Sequence, residues 1–428
     1  MRDAGHPVVL GLSGGGDSMA LLEMAAGWTR SRGRRLLAVT VDHGLNPASA
    51  EWSRTCADAS IALGVDWIEA RWVGDKPATG LTAAARTARH GLIADVARQT
   101  GAKVVLLAHT ADDIAESDWM RTRGSNLGRL REWSPSPVWP EGRGLMLFRP
   151  LLDERREDLR NLLRARGKSW IEDPANADFR FGRSQARHSL SDLTKGYVGS
   201  TERAPDPACL FPAGALGVWP RALPLGEGFE VPRGVFPSAL AATLLSASGS
   251  ATPPRHADLS RLNARLRSGE AFTATLSGAR IDASIDRILI GREPGEFRRS
   301  PPTDLTLRPD EPMVWDARYE ISAFEPGWTV TSTAGRLSRL SEVDRAVIAT
   351  IPAWARGALP VLLRDGESAP ILAWRKAEVR ALAPRRLALF LGAVSGETTQ
   401  EANLFQSIHG ETPPADLFSH NDHHRGLG

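Results

Sequence analysis

Short apolar runs alternate with longer stretches of helical period over the first 125 residues. PVVLGL (7–12), LLAVTV (36–41) and KVVLLAH (103–109) are continuous and rich in valine and leucine, as strands covered on both faces are, while VDWIEARW (65–72) alternates. Residues 18–31, 48–63 and 81–99 carry the helical period between them, the last in a good helix former, LTAAARTARHGLIADVARQ. Repeated units of this length imply right-handed crossovers, so the pattern predicts an α/β domain built on a parallel sheet. Ligands of such sheets bind beyond the carboxyl ends of the strands.

The pattern changes further along. Residues 126–150 (NLGRLREWSPSPVWPEGRGLMLFRP) read as a surface loop, being rich in Pro, Gly and Arg. A helix with Leu159, Leu162 and Leu163 on one face follows, then WIEDPANADFRFGRSQARHSL (170–190), polar and ending in spaced arginines. The sequence is expected to divide into an N-terminal domain at 1–195, a linker at 196–230, a central module at 231–298, a C-terminal α+β module at 299–398 and a mostly disordered tail at 399–428. In the central module 237–247 and 256–268 read as helical and AFTATLSGARIDASIDRILIGRE (271–293) as strand, turn, strand. In the next, LPVLLRD and PILAWR resemble a hairpin. His420, His423 and His424 in the tail read as solvated rather than metal-binding.

Composition narrows the class. Hydrophobic residues make up 42% and charged residues 24% of the 428, ordinary for a soluble globular protein. No apolar run approaches the roughly 20 residues that span a bilayer, and the N-terminus shows no cleavage site, so a cytoplasmic protein is expected. The two cysteines, Cys56 and Cys209, exclude a disulfide scaffold and a CxxC metal site. The net charge is +3, but Arg121 to Arg187 holds 15 Lys+Arg against 9 Asp+Glu. That local excess is compatible with a polyanionic partner.

The first strand runs into Ser13, Gly14, Gly15, Gly16, Asp17 and Ser18 before the first helix begins. Glycine lets backbone N–H groups approach an anion, and the helix N-terminus adds unpaired donors and its dipole. A Walker A loop is excluded because no lysine is present, and GxGxxG is not matched.

SGGGDS matches the SGGxDS loop of the N-type ATP pyrophosphatases. With VDHGLNPASAEW (41–52), AARTARH (84–90), AHTADDIAES (108–117), RTRGSNLGRL (121–130), RPLLDERREDLRNLL (149–163) and WIEDPANADFRFGRSQARHSL, the chain resembles the tRNA(Ile)-lysidine synthetase family across residues 7–190. The resemblance implies an adenine-nucleotide α-hydrolase-like (Rossmann-like) catalytic domain followed by smaller helical and α+β modules. It implies a carbon–nitrogen ligase using ATP and Mg²⁺. ATP adenylates C2–O of the wobble cytidine in the CAU anticodon of an isoleucine tRNA and releases pyrophosphate. The amine of free L-lysine then attacks C2 and expels AMP, giving lysidine and decoding of AUA.

Each step assigns residues. Donors from Ser13 to Ser18 would stabilise the departing pyrophosphate, with Mg²⁺ held by Asp17 or Asp42. Asp42 would bind metal or accept the lysine proton. Asp113 and Glu116, at i and i+3 on one helical face, suit a cationic lysine and a base for its amine, although acids at a helix start also satisfy the dipole. Arg86 and Arg89 are candidates for nucleotide or phosphate. Arg180, Arg183 and Arg187 form a basic stripe for tRNA backbone or the lysine carboxylate. Asp112, Asp173, Asn176, His43 and His109 are accessory. The chain departs from the family pattern at Ile114, Ala108 and Asn46, which puts fine contacts in doubt.

Two alternatives keep part of this. Thiolation or amidotransfer would retain the ATP step, and a weakened homologue would retain only tRNA binding. A homodimer is left open.

Overall fold

The computed structural model describes residues 5–124, 130–172, 182–191, 220–364 and 369–390. The expected βα alternation is present as β1 (Val8–Gly11), α1 (Gly16–Arg32), β2 (Leu36–Asp42), α2 (Ser49–Ala62), β3 (Asp66–Arg71), α3 (Leu81–Gln99), β4 (Val104–Leu106) and α4 (Ala111–Thr122). β1 to β4 are parallel in the order β3-β2-β1-β4, and two apolar layers cover the sheet. One layer holds Leu10, Leu21, Leu22 and Phe148, and the other Val9, Val39, Ile93 and Leu147. Gly11, Asp42 and Leu106 end adjacent strands at the same edge.

The expected surface loop at 126–150 needs correcting. Residues 125–129 lie outside the described residues, but β5 (Trp133–Pro135) and β6 (Met146–Phe148) extend the sheet, β6 parallel to β4 and wholly buried. The four-residue apolar run LMLF, hidden among Pro, Gly and Arg, is long enough for a covered strand. Two helices complete this region, α5 (Arg156–Ala165), which buries Leu159 and Leu163, and α6 (Gly182–Ser191).

The end of the expected linker contributes β7 (Arg221–Ala222) and all but the last residue of β8 (Gly228–Val231) to a second sheet. With α7 (Pro237–Ser248), α8 (His256–Arg267), β9 (Phe272–Leu276), β10 (Ala279–Ala283) and β11 (Ile288–Arg292) they form the order β7-β8-β11-β10-β9. The stretch 271–293 is therefore three strands rather than two.

After α9 (Pro294–Arg299), the strands β12 (Leu305–Thr306), β13 (Met313–Trp315), β14 (Tyr319–Ala323) and β15 (Trp328–Ser332) open the last region. Then come α10 (Glu342–Ala349), β16 (Pro360–Arg364), β17 (Ile371–Leu372), β18 (Ala377–Ala381) and α11 (Leu382–Phe390). The expected hairpin is the antiparallel pair β16–β17. α11 returns to the central module, where Ala383 and Leu387 join its core. The histidine-rich tail and Cys209 lie outside the described residues.

Candidate functional site

Ser13 to Ser18 link β1 to α1 at the carboxyl edge of the sheet. Ser18 Oγ donates to the Gly15 carbonyl at 2.9 Å, accepts the Ser13 N–H at 3.3 Å and lies 3.1 Å from Ser13 Oγ. The loop is thereby tied to itself, and the first-turn N–H groups of α1 have no partner within the helix. Gly14 has φ +81°, and a Cβ there would meet Ile171 Cδ1 and lie 3.1 Å from Cys56 Sγ. A Cβ on Gly16 would sit 3.6 Å from the Trp170 ring and 3.4 Å from Arg160 Cγ, whereas one on Gly15 would find only Ser13 Oγ at 3.8 Å. Close approach of the 170–172 segment therefore constrains Gly14, and Gly15 faces the open side.

Three carboxylates from two helices meet one guanidinium. Arg156, at the start of α5, places Nε 3.1 Å from Asp17 Oδ2, Nη2 3.6 Å from Asp113 Oδ2 and Nη1 2.9 Å from Glu116 Oε1. Its backbone N–H donates to Asp112 Oδ2 at 2.8 Å, which fixes the start of α5 against α4. Arg187 Nε reaches the same Glu116 Oε1 from α6 at 2.7 Å. Glu116 is only 2% exposed, and its Oε2, like Asp17 Oδ1, is buried without a hydrogen-bond partner among the described residues. Asp113 has a second task, because its Oδ2 accepts from Thr110 N–H at 2.9 Å and Thr110 Oγ1 at 3.0 Å. The helix-start role and the site role coexist in that residue.

The electrostatics rank these groups. Burial raises the Asp17 pKa, and the opposing Arg156 charge does not cancel it, while Asp113 adds to the rise. For Arg156 the outcome is the reverse, since burial would lower it but Glu116, Asp113 and Asp17 together raise it. A cation shared among three carboxylates gains from all of them, whereas each acid receives only part of its charge.

Asp42 stands apart. The guanidinium of Arg156 pairs with Asp17, Asp113 and Glu116, and Asp42 is not part of that cluster. Asp42 Oδ1 accepts the Gly44 N–H at 2.8 Å, and that bond is the leading cause of its lowered pKa. This is a turn-forming aspartate at the end of β2.

Arg86 and Arg89, on α3, act by their charges on His90 and His109, and Arg86 acts also on the buried Arg149. Burial, then the charges of Arg89, Arg86 and Arg149, hold His90 down to about 3. Burial also holds His109 well below its ordinary range, with Asp113 opposing. His43 is lowered by burial and Arg89, and its ring meets Trp72 edge-on at 6.0 Å. Arg180, Asp173 and Asn176 lie outside the described residues, and of Arg183 only the backbone position in α6 is described. Of the departures, Asn46 Oδ1 accepts the Ala48 N–H at 2.9 Å before α2, and Ala108 packs against the core. Nothing in the structure explains Ile114.

Sequence reasoning missed Arg156 and Arg149. RPLLDERREDLRNLL contains both, but no local feature separates Arg156 from Arg155; only the packing of α5 on α1 and α4 does so.

A sequence model of the PP-loop domain matches residues 2–194. The tRNA(Ile)-lysidine synthase of Caulobacter vibrioides is 42% identical over 403 residues, spanning 92% of this chain and 95% of that protein. That of Hyphomonas neptunium is 38% identical over 336 residues, spanning 74% and 89%. That of Mesorhizobium japonicum is 32% identical over 393 residues, spanning 86% and 84%.

Proposed function

The chain belongs to the tRNA(Ile)-lysidine synthase family, and from that premise we propose how its residues divide the work of an ATP-dependent ligase that forms lysidine on tRNA(Ile). The observation that carries the proposal is the gathering of Asp17, Asp113 and Glu116 around Arg156, with Asp17 Oδ1 and Glu116 Oε2 buried and without a hydrogen-bond partner among the described residues.

In the first half-reaction, the Ser13 hydroxyl and the N–H groups of Gly15 to Ser18 receive the pyrophosphate as its charge grows. Ser18 holds the loop in that shape through Gly15 and Ser13. A buried oxygen without a donor suits a divalent cation, so Asp17 fits Mg²⁺ better than Asp42, whose Oδ1 is already engaged. Mg²⁺ bound there would neutralise phosphate charge.

In the second half-reaction, Glu116 and Asp113 bind the cationic end of L-lysine. Glu116 Oε2 is the acceptor left available after Oε1 has taken both guanidinium bonds. A carboxylate at that position also takes the proton that the attacking amine sheds. Arg86, Arg89, Arg180 and Arg183 supply positive charge for nucleotide and tRNA phosphates. Thiolation and amidotransfer are not favoured in this family. No helix among the described residues is long and apolar enough to cross a membrane.

The test supplies the protein with ATP, Mg²⁺, labelled lysine and an isoleucine tRNA transcript with a CAU anticodon. Label should enter RNA with release of AMP and pyrophosphate. Incorporation that requires sulfide or ammonia instead of lysine would refute the reading.

A further inference from the structure

Resting on that reading, we infer that Arg156 is a positioning residue that couples the two half-reactions by fixing the pyrophosphate loop and the lysine pair to one guanidinium. Asp17 belongs to the first turn of α1, while Asp113 and Glu116 belong to α4. Arg156 ion-pairs with all three and is itself held by Asp112 through its backbone N–H. Its side chain is largely buried, so these contacts are poorly screened.

The geometry assigns each acid two faces. Asp17 gives Oδ2 and Glu116 gives Oε1 to Arg156, and the other oxygen of each is buried without a hydrogen-bond partner among the described residues. Arg156 therefore neutralises like charges that would otherwise repel, and it turns the remaining oxygens toward ligands of the two steps. A guanidinium is suited to this because its planar fork reaches several acceptors at once, whereas an ammonium is a compact point charge. Removing the fork releases Asp17 and Glu116 together.

Two partial reactions separate coupling from support of one site: tRNA-dependent pyrophosphate release without lysine, and the lysine KM of the full reaction. Losing a hydrogen bond to a charged group is worth roughly 10-fold or more. Arg156→Gln should slow pyrophosphate release at least ~10-fold and raise the lysine KM at least ~10-fold. Arg156→Lys keeps the charge without the fork and should be impaired in both by a smaller factor. Of these two readouts, Glu116→Gln should raise the lysine KM and leave pyrophosphate release without lysine unchanged. Impairment of Arg156→Gln confined to one partial reaction overturns the inference, and so does equal loss in the Lys and Gln variants, which marks a merely structural role. Should the Gln variant lack a cooperative melting transition, the Lys variant decides: impairment of both reactions supports coupling, and impairment of one or neither overturns it. An unsubstituted enzyme that incorporates no lysine refutes the underlying reading, and the inference falls with it.

Discussion

The Gly14 carbonyl accepts the Ile171 N–H at 2.9 Å, and Ile171 Cδ1 occupies the space where a Gly14 side chain would begin. The pyrophosphate loop and the 170–172 segment are thus one packed unit, although 157 positions separate them in the chain (171 minus 14). Trp170 covers Gly16 in the same way, and Cys56 closes the loop from α2. Gly14 and Gly16 serve this packing, besides the approach of an anion proposed above.

Gly14→Ala should accordingly destabilise the domain. The positive φ alone costs about 1–3 kcal/mol for a residue with a side chain, and Ile171 must also move. Thermal melting should show a lowered Tm with pyrophosphate release strongly reduced. A variant with unchanged Tm and activity would mean the loop is not held as described.

How much of this was readable from the chain depends on the range of each interaction. The β1 to β4 strands and their helices were legible because covered strands and helices have different periods. β6 was not, since its three residues sit in a segment whose composition signals a loop. Asp17, Asp113 and Glu116 stand out in the sequence by their place after strands and, for the last two, their i, i+3 spacing, and the fold brings all three to Arg156. Arg156 was not, because its three partners lie 40 to 139 positions away. Asp42 had the right position, but its leading contact is the local turn to Gly44.

His90 makes stability depend on pH in a defined direction. The unfolded chain binds a proton near pH 6.5, whereas the folded imidazole resists it down to about 3. Between those values the unfolded state holds more protons, so folding stability should fall as pH falls, by up to about 1.4 kcal/mol per pH unit for this group. Urea unfolding between pH 7 and pH 4.5 measures the slope. His90→Gln should reduce the slope, with His109 and His43 keeping part of it, and an unchanged slope would place the acid sensitivity in other groups.

Binding of tRNA should weaken as salt rises, through release of counterions from phosphates. Arg180→Ala and Arg183→Ala should each reduce the salt slope by about one if they contact phosphate. Arg187→Ala should change that slope less, because its Nε is committed to Glu116 at 2.7 Å. Equal slopes for all three variants and the parent would exclude the stripe from phosphate contact.

The division of carboxylates also predicts a contrast between Asp42 and Asp17. Asp42→Asn keeps an oxygen for the Gly44 N–H and should leave the Tm unchanged. Asp17→Asn removes a half-buried charge paired with Arg156 and should abolish pyrophosphate release. Loss of pyrophosphate release in Asp42→Asn at unchanged Tm would instead give Asp42 the larger part in the ATP step.

The central claim is that Glu116 binds the lysine substrate. Its most direct test is the steady-state dependence of Glu116→Gln on lysine and on ATP, measured as lysine incorporation into isoleucine tRNA. The account predicts a lysine KM raised at least ~10-fold, as for loss of a charged hydrogen bond, with the ATP KM within about two-fold. An unchanged lysine KM, or a loss confined to ATP, would contradict it.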